Sequence, residues 1–340
     1  MRFTRTLAAA AVAALAAAAA QAADYTLTLS AWGPPTHGMN DRQWPQFVKM
    51  IEEATDGRVT GEIKLNLAPP PAQMDLVQDG AVDVTILFHG YHPGRFVTTK
   101  LIELPGYIGS AEAASVAHWR VHQQYLAKAD EHRGVKLIAL HTHGPGQFYS
   151  VAKVDELSDI KDLKVRVPGG VANDVVAALG GSGIGAPATK VYEMLSSRAA
   201  DAVVMPFESR AGFRLYEVAP YAYEMPGGFY RGSFSYIMNQ ESFDRLPDDI
   251  KRALEEKVFG EPLSRMLGRV WDEIDAEGRA ATLAAPGNEI VEASVTDQAT
   301  YEPIAQKIID AVLAEIEALG IDAKAAHEAI EAEMAKEATN

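Results

Sequence analysis

An arginine at the end of a short apolar strand is the residue of this sequence best placed to do chemistry. The segment LKVRVPGG covers residues 163–170. Apolar and basic residues alternate in it, which predicts a strand with one buried face. The strand must end at Pro168, because proline cannot donate a hydrogen bond to a sheet, and residues 172–179 then have a helical pattern. Arg166 therefore lies at the carboxyl end of a strand, where open α/β sheets bind their ligands.

The guanidinium of Arg166 offers chemistry suited to a carboxylate. It can donate two parallel hydrogen bonds, and its positive charge does not titrate away. The sequence alone also allows the alternative that Arg166 is a solvated or ion-paired arginine. The formal net charge of the chain is −15. This charge argues against nucleic acid or an anionic membrane as a partner, and it means that an anionic ligand needs a locally positive site.

The composition is that of an ordinary globular protein. The chain has 340 residues, of which 48% are apolar and 23% charged. This length is enough for two domains. The sequence contains no cysteine. Disulfides, cysteine nucleophiles and thiolate metal sites are therefore excluded.

The first 22 residues have the features of an export signal. Arg2 and Arg5 precede an unbroken apolar run over residues 7–20, and Ala20-Gln21-Ala22 is a small-x-small cleavage site. We expect cleavage near Ala22, a free periplasmic product, and no membrane insertion, because the run is short for a spanning helix and no later stretch is longer and equally apolar.

The elements that must position Arg166 alternate between strands and helices. Apolar patterning predicts strands over residues 25–31, 59–67, 84–88 and 135–140, with helices between them. A later strand over residues 232–238 is predicted to return to the first unit. The expected fold is α/β, with two lobes that each contain a mainly parallel sheet flanked by helices and with a ligand cleft between them.

The predicted lobes are discontinuous in sequence. We expect the first lobe to contain residues 23–143 and 231–270, and the second to contain residues 144–230 and 271–325. Long helices should occupy the carboxyl-terminal part of the chain, with a helical tail over residues 326–340.

Six motifs, taken together, resemble the substrate-binding proteins of TRAP transporters, the DctP-type periplasmic family. The resemblance covers residues 25–302, nearly the whole mature chain. The motifs are Gly57-Arg58-Val59, MDLVQDGAVD at 74–83, Glu103-Leu104-Pro105, LSDIKDLKVRVP at 157–168, Val191–Leu195 with Ala200-Asp201-Ala202, and NQESFDRLP at 239–247.

The resemblance implies a two-lobe protein that closes on an organic anion and delivers it to a membrane permease. It also implies that Arg166, which matches the strand arginine of the family, forms a bidentate pair with a ligand carboxylate. The expected partners are a small-molecule organic acid and the TRAP permease subunits. No cofactor and no metal are expected, and we expect a monomer.

Three positions depart from the family pattern. Gly146 stands where many acid-sugar binders of the family have a second arginine, Met205 stands where the family has an asparagine, and Pro69–Pro71 replace an acidic residue. An apolar site cannot cheaply desolvate the hydroxyls of a ligand. The departures therefore predict a monocarboxylate with an aromatic or otherwise apolar body.

Eight further residues are candidates for contact with this ligand. The alternative for the aromatic ones is that they belong to the core and point away from the cleft. The candidates are Trp32, Phe88, His89, Gln147, Phe148, Met205, Phe207 and Phe229.

Other chemistries receive less support from the sequence. His118 and His122 are spaced to share a metal on one helix face, but no H-E-x-x-H pattern accompanies them. The glycine-rich loop at residues 181–185 follows a helix and precedes a strand, the reverse of a dinucleotide-binding loop. We expect no enzymatic activity. The alternatives left open are an exported hydrolase and a ligand-binding sensory protein that serves no permease.

Overall fold

Two β-sheets organise the part of the chain that the computed structural model describes, residues 23–338. The predicted export signal and its cleavage site, residues 1–22, lie outside the described residues. The expected two-lobe α/β fold is confirmed, with helices on both sheets and long helices near the carboxyl terminus.

The first sheet has five strands in the spatial order β2-β1-β3-β10-β4. Strand β1 is parallel to β2 and β3, whereas β10 is antiparallel to β3 and β4. The strands are β1 (Tyr25–Ala31), β2 (Val59–Leu65), β3 (Val84–Phe88), β4 (Lys136–Thr142) and β10 (Ser233–Met238).

The second sheet has six strands in the order β11-β9-β5-β8-β6-β7. Strand β6, which carries Arg166, is parallel to β7 and β8, whereas β5 is antiparallel to β8 and β9. The strands are β5 (Gln147–Ser150), β6 (Lys164–Val167), β7 (Ser182–Gly185), β8 (Ala202–Met205), β9 (Tyr221–Glu224) and β11 (Glu289–Glu292).

Both sheets are mixed, although the sequence predicted mainly parallel ones. The chain passes between the sheets three times, and the third passage, over residues 239–288, contains helices and leads to β11. The antiparallel strands β5 and β10 directly follow the other two passages, residues 143–146 and 225–232. A parallel neighbour requires a long crossover connection, usually through a helix. These crossings are short and contain no helix, so each new strand enters its sheet in the opposite direction.

The helices cover the sheets and connect the lobes. Before the second sheet lie α1 (Trp44–Ala54), α2 (Gln73–Gln78), α3 (Lys100–Glu103) and α4 (Ala111–Val121). The helices α5 (Val171–Ala178), α6 (Val191–Ser196) and α7 (Glu208–Gly212) alternate with the strands of the second sheet. The remaining helices are α8 (Gln240–Asp244), α9 (Asp248–Lys257), α10 (Glu261–Ala284), α11 (Val295–Glu317) and α12 (Ala323–Glu337).

Helix α10 is attached to both lobes. Asp272 accepts hydrogen bonds from the first backbone N–H groups of α4, and a Cβ at Gly268 would lie 2.6 Å from the Ala111 carbonyl oxygen in the same helix. Three residues after Asp272, Asp275 accepts from the backbone N–H of Glu208, which begins α7. The 24-residue helix therefore contacts both lobes, and Glu277, after Asp275, again pairs with Arg42 of the first lobe.

The carboxyl-terminal helix packs onto the first lobe. The sequence predicted a tail over residues 326–340, whereas α12 begins at Ala323 and lies against α4, with Ile330 and Met334 buried. Arg120 of α4 forms ion pairs with Glu333 and Glu337 of α12. The lobe boundaries proposed from the sequence stay a prediction.

We predict that Gly278→Ala destabilises the fold. A Cβ at this position of α10 would lie 2.1 Å from the Phe207 carbonyl oxygen and 2.8 Å from the Cα of Glu208, so backbone must move. Overpacking of this kind costs about 1–3 kcal/mol, more than the roughly 1 kcal/mol that alanine gains over glycine in a helix. Urea unfolding should show a lower free energy of unfolding.

The matched control is Gly185→Ala, because a Cβ there meets no atom within 4 Å. A Gly278→Ala variant as stable as this control would show that α10 can move away from α7 at little cost.

Candidate ligand-binding cavity

A cavity lies between the carboxyl ends of strands from both sheets. It encloses about 390 Å³ of space that protein atoms do not fill, part of which is open to solvent. Four of the residues predicted from the sequence line it: Trp32 after β1, Phe88 at the end of β3, Arg166 in β6 and Met205 at the end of β8.

Arg166 is buried in the wall of this cavity, with only 1% of its surface exposed. Its Nε and Nη2 atoms donate to the carbonyl oxygen of Ala186, at 2.8 and 2.6 Å. Two of the five N–H groups of the guanidinium are thus used, and three remain on Nη1 and Nη2. Within residues 23–338, Arg166 forms no ion pair with a carboxylate. It is therefore neither a solvated arginine nor one paired inside the described chain.

Loops from the two lobes meet beside Arg166. Gly169 has a φ of +99°, and a Cβ on it would lie 2.3 Å from the Gly90 carbonyl oxygen of the opposite lobe. The Tyr91 hydroxyl accepts a hydrogen bond of 2.8 Å from the backbone N–H of Ala188, which follows β7. Glycine at position 169 allows the two backbones to touch, so the cleft is closed on this side of the cavity.

Three of the other predicted residues lie in the core of the second lobe. The rings of Phe148 and Phe229 pack edge to face, with centroids 4.7 Å apart, and both side chains are buried. The Gln147 side chain bonds to both the backbone N–H and the carbonyl of Met225. These three residues do not line the cavity. The sequence could not show which side of the second sheet their side chains face.

Phe207 and His89 also lie outside the lining. The Phe207 ring packs against Tyr149, with centroids 5.7 Å apart. His89 follows Phe88 and points to the opposite face, as alternation requires. Its Nδ1 lies 2.8 Å from the Ser233 hydroxyl and its Nε2 lies 3.1 Å from His132 Nε2.

These imidazoles form a buried cluster in the first lobe. Burial lowers the pKa of His89 and His132 and lowers that of His118 to about 3, so the rings are neutral. The metal site considered for His118 and His122 has no counterpart in the described residues, where no group of three or more potential ligands could hold a metal ion.

Aromatic side chains that the sequence did not single out complete the walls. They lie in loops and in segments far from Arg166 in the sequence, so no local sequence pattern identified them as cavity residues. They are Tyr91, Phe213, Tyr230, Phe234 and Trp271. Tyr230 occupies the space beside Gly146, where a Cβ would lie 2.2 Å from the Tyr230 ring. The glycine at position 146 was the one signal that something packs there.

Three further polar groups lie in the lining: His37, His143 and Glu208. His37 Nε2 is 2.7 Å from Glu208 Oε2, and both side chains are buried. His143 Nδ1 is 2.6 Å from the carbonyl oxygen of Gly144, and burial lowers the pKa of this histidine to about 3. The His143 ring is therefore neutral, and the cavity combines one fixed cation, Arg166, with mostly aromatic walls.

Comparison with known proteins identifies this arrangement. Residues 34–316 match the DctP family, described as bacterial extracellular solute-binding protein, family 7. The chain belongs to this family. The resemblance seen in the sequence motifs is thereby confirmed.

Related structures share the whole fold. A TRAP periplasmic solute-binding protein from Bordetella bronchiseptica with bound (R)- and (S)-mandelate is 38% identical, with a TM-score of 0.88 over 92% of this chain and 99% of that one. A TRAP solute-binding protein from Rhodoferax ferrireducens T118 in complex with copurified benzoate is 27% identical, with a TM-score of 0.85 over 92% and 98%. The outer membrane transporter protein TsaT of Comamonas testosteroni is 27% identical over 287 residues, 84% of each chain.

Membership in the DctP family makes this chain a solute-binding protein of the type that serves TRAP transporters. The family and the related structures are those of binding proteins. Across residues 23–338, no helix has the length and apolar character needed to cross a membrane.

A buried acid lies behind the cavity of this DctP-family protein. Asp275 of α10 accepts a hydrogen bond of 2.9 Å from the backbone N–H of Glu208. Burial raises the pKa of Asp275 from 3.8 to about 7, and the neighbouring Glu208 adds to the shift. Between these two pH values the folded protein keeps a proton that the unfolded chain releases. The contribution of Asp275 to the free energy of unfolding therefore falls as the pH rises through this window.

We predict that Asp275→Asn reduces this pH dependence. Asparagine cannot titrate, but its amide oxygen can still accept from the Glu208 N–H. Urea unfolding between pH 4 and 8 should give a free energy of unfolding whose slope with pH is more positive in the variant than in the wild type, by at most about 1.4 kcal/mol per unit, because only the contribution of Asp275 is removed. The control is Asp310→Asn on the exposed face of α11. Parallel curves for all three proteins would contradict the buried proton at Asp275.

Proposed function

We propose that this protein is exported to the periplasm, where it binds an aromatic or otherwise apolar monocarboxylate at Arg166 and delivers it to the membrane subunits of a TRAP transporter. The observation that carries this proposal is a buried guanidinium with three unused donors in an aromatic-walled cavity. Both walls come from one chain, so we propose that the monomer is the binding unit.

The free edge of Arg166 suits one carboxylate. A charged group in a low-dielectric cavity is costly without a partner, and the three donors on Nη1 and Nη2 are arranged to form the two parallel bonds that a carboxylate accepts. A ligand carboxylate would therefore supply the counter-charge that the described chain does not.

The cavity lining supplies no second cation for a second carboxylate. The other fully buried arginines, Arg210 and Arg231, do not line the cavity, and both donate to backbone carbonyls, those of Ala219 and of Tyr107 and His143 respectively. Tyr230 fills the space beside Gly146. A dicarboxylate would leave one charge without a partner, at a cost of several kcal/mol.

The aromatic walls favour a flat apolar body. Phe88 contacts Tyr91 and Phe234 with ring centroids 4.6 and 4.8 Å apart, and Trp32 lies against Tyr91. Edge-to-face contact with a ligand ring adds about 0.5–1.5 kcal/mol to the gain from burial. The related structures with mandelate and benzoate, both aromatic monocarboxylates, support this ligand class.

We also propose that the protein is not a hydrolase. Ser233 has the contacts of an activated serine, since its hydroxyl lies 2.8 Å from His89 Nδ1 and 3.0 Å from His118 Nε2. Its side chain is fully buried in the first lobe and does not line the cavity. A substrate held at Arg166 would not meet it. Release of free acid from aromatic esters by the purified protein would favour the hydrolase alternative.

We predict that Arg166→Lys weakens binding of the aromatic acid about ten- to a hundredfold. Lysine keeps the charge but cannot form the planar fork, so one charge-assisted bond worth about 1.5–3 kcal/mol is lost. Titration calorimetry measures the change. Arg252→Lys, on the exposed side of α9, is the matched control, and a Kd for Arg166→Lys equal to that of the control would rule out Arg166 as the carboxylate ligand.

A thermal-shift screen should separate ligand classes. Benzoate, phenylacetate and mandelate are expected to raise the melting temperature, because a ligand at a hundred times its Kd stabilises the fold by about 2.7 kcal/mol. Succinate and uronates should have no effect at the same concentration. The ligand class would be wrong if the dicarboxylate or the acid sugar shifted melting and the aromatic acids did not.

A further inference from the structure

Glu208 is a cavity residue that carboxylate binding at Arg166 leaves unused. Only 4% of its surface is exposed, and it lies in the lining close to aromatic and apolar side chains. In the described part of the chain, its Oε2 atom has no aligned hydrogen-bond donor. Its nearest titratable neighbour is His37, whose Nε2 lies 2.7 Å from this oxygen. A buried carboxylate is stabilised by each further donor that it meets, so a donor from a bound ligand would be favoured here.

Neighbouring residues position Glu208 but leave some of the acceptor sites of its carboxylate without a hydrogen bond. Its backbone N–H donates to Asp275. His37 Nδ1 accepts from the backbone N–H of Met39, so its Nε2 carries a proton. That nitrogen lies 2.7 Å from Oε2 but is not aligned for a hydrogen bond. A carboxylate has about four lone-pair sites, so Glu208 keeps free acceptor capacity towards the cavity.

We propose that Glu208 accepts a hydrogen bond from a hydroxyl group of the bound acid, so that the ligand is a hydroxylated aromatic monocarboxylate. This inference rests on the proposed function, in which Arg166 takes the carboxylate. An apolar cavity rejects hydroxyl groups unless it offers them a partner. Glu208 is that partner.

An ammonium group is the other donor that a buried carboxylate could accept from. It carries three N–H donors, each of which needs an acceptor. Around Glu208 the lining contains Phe213, Met39 and Trp271, and the Trp271 indole nitrogen already donates to His141. These groups offer an ammonium too few acceptors, whereas a hydroxyl needs only one. The structure therefore favours the hydroxyl.

The test is titration calorimetry with ligands that differ in one group. Phenylacetate, mandelate and phenylglycine carry hydrogen, hydroxyl and ammonium on the same carbon, and benzoate with 3- and 4-hydroxybenzoate places the hydroxyl on the ring. At least one hydroxylated acid should bind the wild-type protein about ten- to a hundredfold more tightly than its unsubstituted partner. Tighter binding of phenylglycine than of mandelate would overturn the inference in favour of an amine.

Two variants assign the preference to Glu208. Glu208→Leu removes the acceptor, so the preference for the hydroxylated acid over its unsubstituted partner should fall at least tenfold. Glu208→Gln keeps a neutral acceptor and should give an intermediate preference. The control is Glu193→Gln, whose side chain is 72% exposed. A preference that survives in Glu208→Leu would overturn the assignment.

The wild-type series decides the question even if the variants do not fold. Equal affinities for hydroxylated and unsubstituted acids would refute the role of Glu208 and leave the aromatic-acid function intact. Absence of binding by every aromatic acid would instead refute the proposed function itself.

Discussion

The structure depends on enclosing one positive charge in an apolar space. Arg166 is nearly inaccessible, and a single backbone carbonyl, that of Ala186, holds its orientation. Burying a cation of this kind costs free energy unless an anion pairs with it or water can hydrate it. Closing the cleft around a carboxylate meets the first condition, and opening meets the second. The alternation between the two states thus follows from the electrostatics of one residue.

The aromatic walls make the same charge selective. In water a carboxylate and a guanidinium attract each other weakly, whereas in a cavity that excludes solvent their attraction is far stronger. Trp32, Phe88 and Phe234 exclude that solvent, and their shape admits a flat ring more readily than a hydrated sugar. The charge of Arg166 therefore selects a ligand with a carboxylate, and the aromatic walls select against a ligand with many hydroxyl groups.

Much of the fold was predictable, because strands and turns leave local patterns. The predicted strands at residues 25–31 and 84–88 have the observed bounds, and the strand predicted at 59–67 ends two residues early, at Leu65. The direction of β5 and β10 was not predictable, since it depends on how the chain crosses between lobes and not on the strand residues themselves.

The candidate site divides in the same way. The rule that ligands lie at the carboxyl ends of strands pointed to Arg166, and the departure from the family pattern pointed to Met205. Both line the cavity with Trp32 and Phe88, and each of the four is at or next to a strand end. No pattern showed which side of the second sheet Phe148 faces, and its side chain lies outside this lining.

The pair of His37 and Glu208 in the lining could not be predicted from the sequence, for a different reason. His37 follows β1 and Glu208 begins α7, and neither lies in a recognisable motif. They become neighbours only when the two lobes come together. Contacts that exist only between lobes leave no local pattern in the sequence.

The double attachment of α10 has a mechanical consequence. Asp272 fastens the helix to the first lobe and Asp275 fastens it to the second, and one turn of helix separates the two attachments. Further along the helix, Glu277 pairs with Arg42 of the first lobe. A rotation of the second lobe away from the first would therefore leave α10 in place and release the Asp275 contact. Asp275 does not line the cavity, so a residue that never touches the ligand would share in setting its affinity.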